Sequence, residues 1–373
     1  MNDVVQVPAL KVVGQRPIRP DGADKVTGRA NFGADLRLPG MLTGRVKRSP
    51  HAHARIVRID TAAAAALPGV KAIVTAADFA ELGNESVEHG EGAATLRDVA
   101  LNCMARHKVL YAGHSVAAVA ATSPEIADAA LRLIEVEYEV LPHVIDVEEA
   151  MAADAPLLHA DLFTKGVTPK PQSPSNVAEK TILGRGDVAK GFAQAERIVE
   201  GRYRTAPVHQ GYLEPHACVA SAGVDGQHHV WCSSQGHFAV RAMCSKILGI
   251  ELRDIKVTPA EIGGGFGGKT TVYLEPVALA LSLKCGRPVR LVMSRSETFE
   301  ASGPTSGSVI DVKLGASRDG VITAAELTIK YQAGAFPGSP VGVACMAALA
   351  CYSHESVAIT GYDVVSNRPK VAA

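Results

Sequence analysis

At 373 residues the chain is long enough for two or three domains and a sizeable core. Its 47% hydrophobic and 20% charged residues are ordinary for a globular protein, and 38 basic against 38 acidic side chains leave no net charge. Neither nucleic acid nor an acidic membrane surface is therefore indicated as a partner. The first 22 residues hold no long apolar run, which argues against a secretory leader or a spanning segment. The seven cysteines are scattered without a CxxC pair. They read as reduced core thiols of a cytoplasmic protein and argue against an iron–sulfur cluster held by this chain alone.

Residues 1–25 are polar, rich in Pro and Gly, and read as extended. Period-two alternation predicts strands at Gly44–Arg48 and Ala54–Ile59. The Ala-rich run Thr61–Leu67 predicts a helix ended by Pro68-Gly69, and Val70–Val74 a short strand. Residues 80–107 are polar with Gly-Asn and His-Gly-Glu-Gly signals, so a surface loop is expected there. Val109–Ala120 reads as a buried strand pair, or a strand with a turn, about Gly113. Ser123-Pro124-Glu125 offers an N-cap, a proline and an acidic first turn for a helix reaching Ile134. Glu135–Val140 alternates as a strand, stopped by Leu141-Pro142. Without a regular βαβ rhythm, residues 1–150 read as α+β.

Residues 151–180 are the expected boundary. Ala155-Pro156, Pro169-Lys-Pro171 and Ser173-Pro-Ser175 disfavour regular elements and suit an extended linker. A second domain is expected over 181–373. It should open with a short helix in Gly186–Ala195, a strand at Arg197–Arg204, and a hairpin of Cys218–Ser221 with His229–Cys232. A helix at Phe238–Leu248 and a strand at Asp254–Thr258 lead to a glycine-rich loop, then a helical run from Tyr273 to Leu283 closed by Gly286-Arg-Pro288. Further strands are expected at Val289–Met293, Ser308–Leu314 and Val321–Tyr331.

The glycine-rich loop, Gly263-Gly-Gly-Phe-Gly-Gly268, has glycine at five of six positions and runs into Lys269-Thr270. Without Cβ atoms such a run can take positive φ and bring bare N–H groups to a ligand. The N-terminus of a following helix would favour an anion. Five glycines, each costing about 0.5–1 kcal/mol relative to Ala, point to close approach by a ligand. An anionic, phosphate-bearing group is expected against this loop. The string Gly263–Thr270 also matches the phosphate-binding pattern G-x-x-x-x-G-K-[ST], so a nucleotide-binding protein is an alternative. Against it, the lead-in strand carries Pro259 and Glu261, and the downstream Ser308–Asp311 is short for the apolar, Asp-ended strand such a fold needs.

Taken together, the motifs resemble the molybdenum-cofactor subunit of the xanthine dehydrogenase/aldehyde oxidase family, from about Arg16 onward. Asp24–Ala30, Gly44–His53, Leu67–Thr75 and Glu137–Pro142 are similar to its α/β hammerhead domain. Leu213-Glu-Pro-His216, Ser234-Gln-Gly-His-Phe238 with Arg241, Gly263–Lys269, and Gly286–Arg290 with Arg295 are similar to its first molybdopterin-binding domain. Gln332–Phe336 resembles a further family signature. The resemblance implies an α+β fold, hammerhead first and molybdopterin domain second. The implied cofactor is molybdenum–molybdopterin, its cytosine dinucleotide form included, with 2Fe-2S and FAD on partner subunits. It implies oxidation of an N-heterocycle, an aldehyde or a related aromatic substrate, with water as oxygen source. By position, Gln235 matches the glutamine that bonds an oxygen ligand of the molybdenum. Gly264, Gly265, Phe266, Gly267 and Gly268 match the cofactor loop, and Glu214 matches an acid with a structural role.

The chain also departs from the family. Thr270 stands where some purine-oxidising members carry glutamate, which makes purine a less favoured substrate. The sequence stops at Ala373, where members continue into an arginine loop and a second cofactor domain holding the general base. A base must sit within about 3 Å of its proton or one water away, so no catalytic residue and no protein metal ligand are assigned here. The expectation is an N-terminal half-subunit that acts with a second molybdopterin-domain chain, an iron–sulfur subunit and an FAD subunit, or else an inactive truncated or scaffold form. His51 and His53, on one expected strand face, read as packing or surface residues rather than a metal site. His237 is placed near the cofactor, and Cys345 and Cys351 read as core thiols.

Overall fold

The computed structural model describes residues 10–89 and 92–372. Its core is a seven-stranded sheet in the order Ile255–Pro259, His228–Cys232, Ala217–Ala222, Val289–Val292, Leu42–Arg48, Ser115–Ala121, Val70–Thr75. Three of these strands precede residue 151 and four follow residue 181. The two sets meet where Leu42 pairs with Val289 and Thr43 with Arg290, in parallel. There Gly44 is required: a Cβ would lie 2.5 Å from Leu291 Cδ2 and 3.2 Å from the Arg290 carbonyl.

Helix Glu275–Cys285 is apolar around its whole circumference and buried from Glu275 to Ser282, the composition of a helix covered on all sides. It packs on strands Ala217–Ala222, Val289–Val292 and Val70–Thr75, with helix His237–Leu248 beside it. Leu279 and Leu281 join Val74, Val99 and Ala118 in one core that draws on both ends of the sequence. A second, five-stranded sheet runs Arg197–Thr205, Ser308–Ala316, Ile322–Gly334, Val357–Val365, Val177–Arg185. A smaller sheet joins Lys108–Val109, Ala54–Asp60 and Glu135–Val140. Helices and strands are thus mixed, as an α+β fold requires.

Local signals hold where they rest on caps and alternation. Ser123 Oγ accepts from Ile126 N at 3.3 Å and opens helix Pro124–Leu133. The region 80–107 is different from the expected loop. It contains strands Ser86–His89 and Gly92–Thr95 and helix Leu96–Cys103, capped by Thr95. Leu96, Val99 and Cys103 form a buried stripe on that helix, spaced for one face but diluted by polar neighbours. The extended reading of residues 1–25 also needs correction: residues 1–9 lie outside the described ones, and Gly22–Thr27 is a helix ending at Gly28 with φ 74°. Between residues 151 and 176 the chain is irregular, and strand Val177–Arg185 begins inside the expected linker. Strand Val357–Val365 and helices Val147–Ala150, Arg295–Ala301 and Val341–Ala347 lie outside the expected elements, although Asp146 caps the first helix and a Ser294–Glu297 capping box opens the second. Cys345 is buried as expected, but Cys351 is exposed. No helix among the described residues is long and apolar enough to cross a membrane.

Candidate functional site

Strands His228–Cys232 and Ile255–Pro259 are parallel neighbours with Cys232 opposite Pro259. The chain leaves both strands at their carboxyl ends, the end at which ligands bind in open α/β sheets. Three residues beyond Cys232 comes Gln235, and four beyond Pro259 comes Gly263. Register alone therefore brings together two motifs some thirty residues apart in sequence.

The contact is direct. Gln235 Oε1 accepts from the main-chain N–H groups of Gly267 and Lys269, each at 3.1 Å. The Gln235 backbone N donates to the Lys269 carbonyl at 2.8 Å. Gln235 thus does cap backbone, through its carbonyl oxygen, while its side chain stays exposed and its amide NH2 has no acceptor among the described residues. The loop itself turns through positive φ at Gly264 (96°), Phe266 (48°) and Gly267 (87°). Phe266 is the only described non-glycine residue with positive φ. For a bulky side chain that is a strained conformation. Gly268 N closes the turn onto the Gly265 carbonyl at 2.7 Å.

Most of the glycines are explained by protein packing rather than by ligand approach. A Cβ on Gly263 would meet Glu214 Cβ at 2.6 Å, and one on Gly265 would strike the Gln235 amide. A Cβ on Gly268 would meet Tyr212 Cε1 at 2.7 Å, and one on Gly264 would meet the Phe266 and Tyr212 side chains at 3.0 Å. The ligand signal lies elsewhere, in the donors. Among the described residues, the successive N–H groups of Gly264, Gly265 and Phe266 have no acceptor. Successive free N–H groups on such a turn form an anion-binding nest. The amide of Gln210, beside Gly268, and Nε2 of His237, two residues after Gln235, are also buried without a partner among the described residues.

The expected helix contribution is absent. Helix Glu275–Cys285 starts seven residues after Gly268, and its own Glu275 carboxylate accepts from Tyr273 N at 3.1 Å and Leu274 N at 3.2 Å. The anion of that N-terminus is supplied from within the chain. Burial raises the Glu275 pKa, opposed by those N–H bonds.

Behind the loop lies a clamp. Glu214 Oε2 accepts from Gly263 N and from Lys269 Nζ, both at 2.8 Å, and Oε1 accepts from Gly33 N at 3.3 Å. Lys269 is 1% exposed, and its ammonium sits 4.9 Å from the centre of the Tyr212 ring. Burial lowers its pKa, offset by Glu214. Arg295 donates to the carbonyls of Tyr212 at 2.8 Å and Leu213 at 2.6 Å, fixing the segment that carries Glu214.

Tyr212 is itself anchored. His209 Nδ1 accepts from Gly211 N at 3.0 Å, so its Nε2–H donates to Ser302 Oγ at 2.9 Å. Ser302 donates to the Thr298 carbonyl at 2.6 Å, so the Tyr212 hydroxyl donates to Ser302 Oγ at 3.0 Å and accepts from His216 Nε2–H at 2.7 Å. Burial, with Lys269, His209 and Arg48 nearby, pushes the His216 pKa down from 6.5 to about 3. Folded His216 is neutral across that interval whereas the unfolded ring is protonated, so this stability is present above pH 6.5 and is lost as pH falls toward 3. Between pH 7 and pH 5, thermal and urea unfolding should show the wild type losing about 1–2 kcal/mol more than His216→Asn. Parallel losses in both proteins would show that His216 is not the titrating group.

His51 and His53, read as packing or surface residues, lie in such contacts. His53 donates through Nδ1 to the Pro142 carbonyl at 2.6 Å, His51 packs edge-on against Tyr138, and both lie before the strand rather than on it. No group of three or more His, Cys, Asp or Glu among the described residues is placed to hold a metal ion. Tyr212, Ser302 and Gln210 carry no sequence motif, and only the structure brings them to the site.

Comparison with known proteins is consistent with this geometry. Residues 169–373 match the family described as "Molybdopterin cofactor-binding domain", and residues 27–142 match "Aldehyde oxidase and xanthine dehydrogenase, a/b hammerhead domain". The chain is 35% identical over 331 residues to the carbon monoxide dehydrogenase large chain of Afipia carboxidovorans, covering 88% of this chain and 40% of that one. It is 29% identical over 366 residues to the nicotinate dehydrogenase large molybdopterin subunit of Eubacterium barkeri, covering 97% of this chain and 81% of that one. It superposes on quinoline 2-oxidoreductase from Pseudomonas putida 86 with a TM-score of 0.82 and 30% identity, over 96% of this chain and 45% of that one. Against several of these relatives the chain thus spans less than half their length. With a family match over more than half its residues, the chain belongs to the xanthine dehydrogenase/aldehyde oxidase family of molybdopterin-dependent oxidoreductases.

Proposed function

We propose that this chain is the cofactor-holding half of a molybdenum hydroxylase, active when joined to further polypeptide. The observation that carries the proposal is the donor set: three successive free N–H groups on a strained loop, beside the free amide NH2 of Gln235. Such donors fit an acceptor-rich group, as the pterin cofactor is, in its mononucleotide or cytosine dinucleotide form. Gly264, Gly265 and Phe266 would hold it through their main chain, with Gly267 and Gly268 shaping the turn. Gln235 would donate to an oxygen ligand of the molybdenum. When bound, the cofactor supplies two-electron oxidation of the substrate with oxygen drawn from water. This chain's residues bind and orient it; the general base belongs to the remaining polypeptide.

The substrate class we propose is an N-heterocycle or an aldehyde, in keeping with a relative named nicotinate dehydrogenase. That relative is called a large molybdopterin subunit, and this chain covers 81% of it. Electrons would leave through 2Fe-2S and FAD subunits in the cytoplasm. Residues 1–150 and 181–373 would act as hammerhead and cofactor domains, joined by 151–180 and bridged by the shared sheet. The nucleotide-binding alternative needs Lys269 at a phosphate, whereas its ammonium is buried against Glu214.

The test is metal and pterin analysis of the natively purified complex. About one molybdenum and one pterin per copy of this chain are expected. A stable complex devoid of both would leave only the scaffold reading.

A further inference from the structure

Where the irregular chain after residue 151 meets strands Ala54–Asp60 and Lys108–Val109, it leaves a cavity of 480 Å³. That volume is on the scale of small-molecule pockets. Ile56, Leu141 and Leu157 supply its apolar wall; His53, Arg55 and Lys108 supply its polar one, and no carboxylate lines it. None of these residues belongs to the arrangement around Gln235 and the glycine loop. Main-chain bonds fix the walls: Ile56 N donates to the His107 carbonyl at 2.8 Å, and Leu141 N to the His53 carbonyl at 2.9 Å.

Two polar groups in the wall are unspent. His53 is 4% exposed. Its Nδ1–H goes to the Pro142 carbonyl, while Nε2 is buried with no partner among the described residues. Burial lowers the pKa of the ring against the pull of the Pro142 bond, and Lys108, His159 and His143 nearby lower it further. The ring is therefore neutral, and Nε2 presents a lone pair that can only accept. Buried acceptors left unpaired are costly and uncommon. Lys108 gives one N–H to the Leu158 carbonyl at 2.5 Å and makes no salt bridge among the described residues. Arg55, by contrast, is paired with Glu139 at 2.7 Å. The cavity thus offers one uncompensated positive charge and one bare acceptor, set against an apolar wall.

We propose that this cavity binds a small organic acid as its monoanion, with the carboxylate on Lys108, an O–H or N–H of the same molecule on His53 Nε2, and the carbon body against Ile56, Leu141 and Leu157. One unpaired cation matches one negative charge. A phosphate group, with a charge of about −1.5 to −2 at pH 7, would be left partly uncompensated. An acid without an O–H or N–H would leave Nε2 unpaired. The site is independent of the molybdenum reading, since none of its residues is assigned to the cofactor.

The test is isothermal titration of the natively purified complex with two matched pairs, glycolate against acetate and 3-hydroxybenzoate against benzoate, and with inorganic phosphate. In at least one pair the hydroxy acid should bind about tenfold tighter than its partner and than phosphate, the scale of one hydrogen bond. Lys108→Met should weaken that binding by at least about tenfold, because a hydrogen bond to a charged group is the stronger kind. His53→Phe should bring the hydroxy acid down to the affinity of its partner. Lys108 is only half-buried, so Lys108→Met decides the matter should His53→Phe fail to fold. A crystal soaked with the tighter acid should show it between Lys108 and His53. Four results overturn the proposal: no binding of either hydroxy acid at millimolar concentration, equal binding within both pairs, phosphate binding as tightly, or affinity unchanged in Lys108→Met.

Discussion

Glu214→Ala should destabilise the protein by about 3–5 kcal/mol, among the largest costs expected for a single substitution here. The carboxylate serves three donors at once: Gly33 N, Gly263 N and Lys269 Nζ. Removing it strands a buried ammonium and two main-chain N–H groups, and the loss is dominated by that uncompensated charge. Because Gly33 lies in the first part of the chain and Gly263 in the second, the loss should appear as one cooperative urea transition at lower midpoint. Glu214→Gln, which retains an acceptor, should lose less. A change below about 1 kcal/mol for Glu214→Ala would mean that Lys269 finds another partner or water, and that the clamp is not needed.

Gly265→Ala should lower the molybdenum content of the complete enzyme by at least about tenfold, the scale seen when groups that orient a metal centre are displaced. The new methyl group would meet the Gln235 amide, pushing Oε1 away from the N–H groups of Gly267 and Lys269. Gln235→Ala tests the same linkage without adding bulk, and should also lose molybdenum while keeping the far-UV circular dichroism of the wild type. Metal analysis by mass spectrometry reads both. Full occupancy in both variants would show that Gln235 merely braces the loop, the bland role its carbonyl oxygen already performs.

Local chemistry is legible in the residues alone. Alternation locates Leu42–Arg48 and Glu135–Val140, Ser123-Pro124 announces a helix, and the glycine run with Gln235 marks the candidate site. What misleads is dilution and context. Helix Leu96–Cys103 hides its three core residues among Arg, Asp and Asn, so polarity outweighs periodicity. The glycine run reads as room for a ligand, yet Glu214, Gln235 and Tyr212 occupy most of that room.

By itself the sequence determined which short segments could be strand or helix, because caps, alternation and glycine act over a few residues. It also determined the family, because the motif residues stand in order along the chain. Only the tertiary structure decided that strands from both ends of the chain share one sheet, that Cys232 stands opposite Pro259, and hence that Gln235 reaches the glycine loop. It alone paired Lys269 with Glu214, and left the N–H groups of Gly264, Gly265 and Phe266 without an acceptor among the described residues. The physical reason is that hydrogen-bond partners and burial are set by residues far apart in the chain, and a local pattern carries no information about which distant group will arrive.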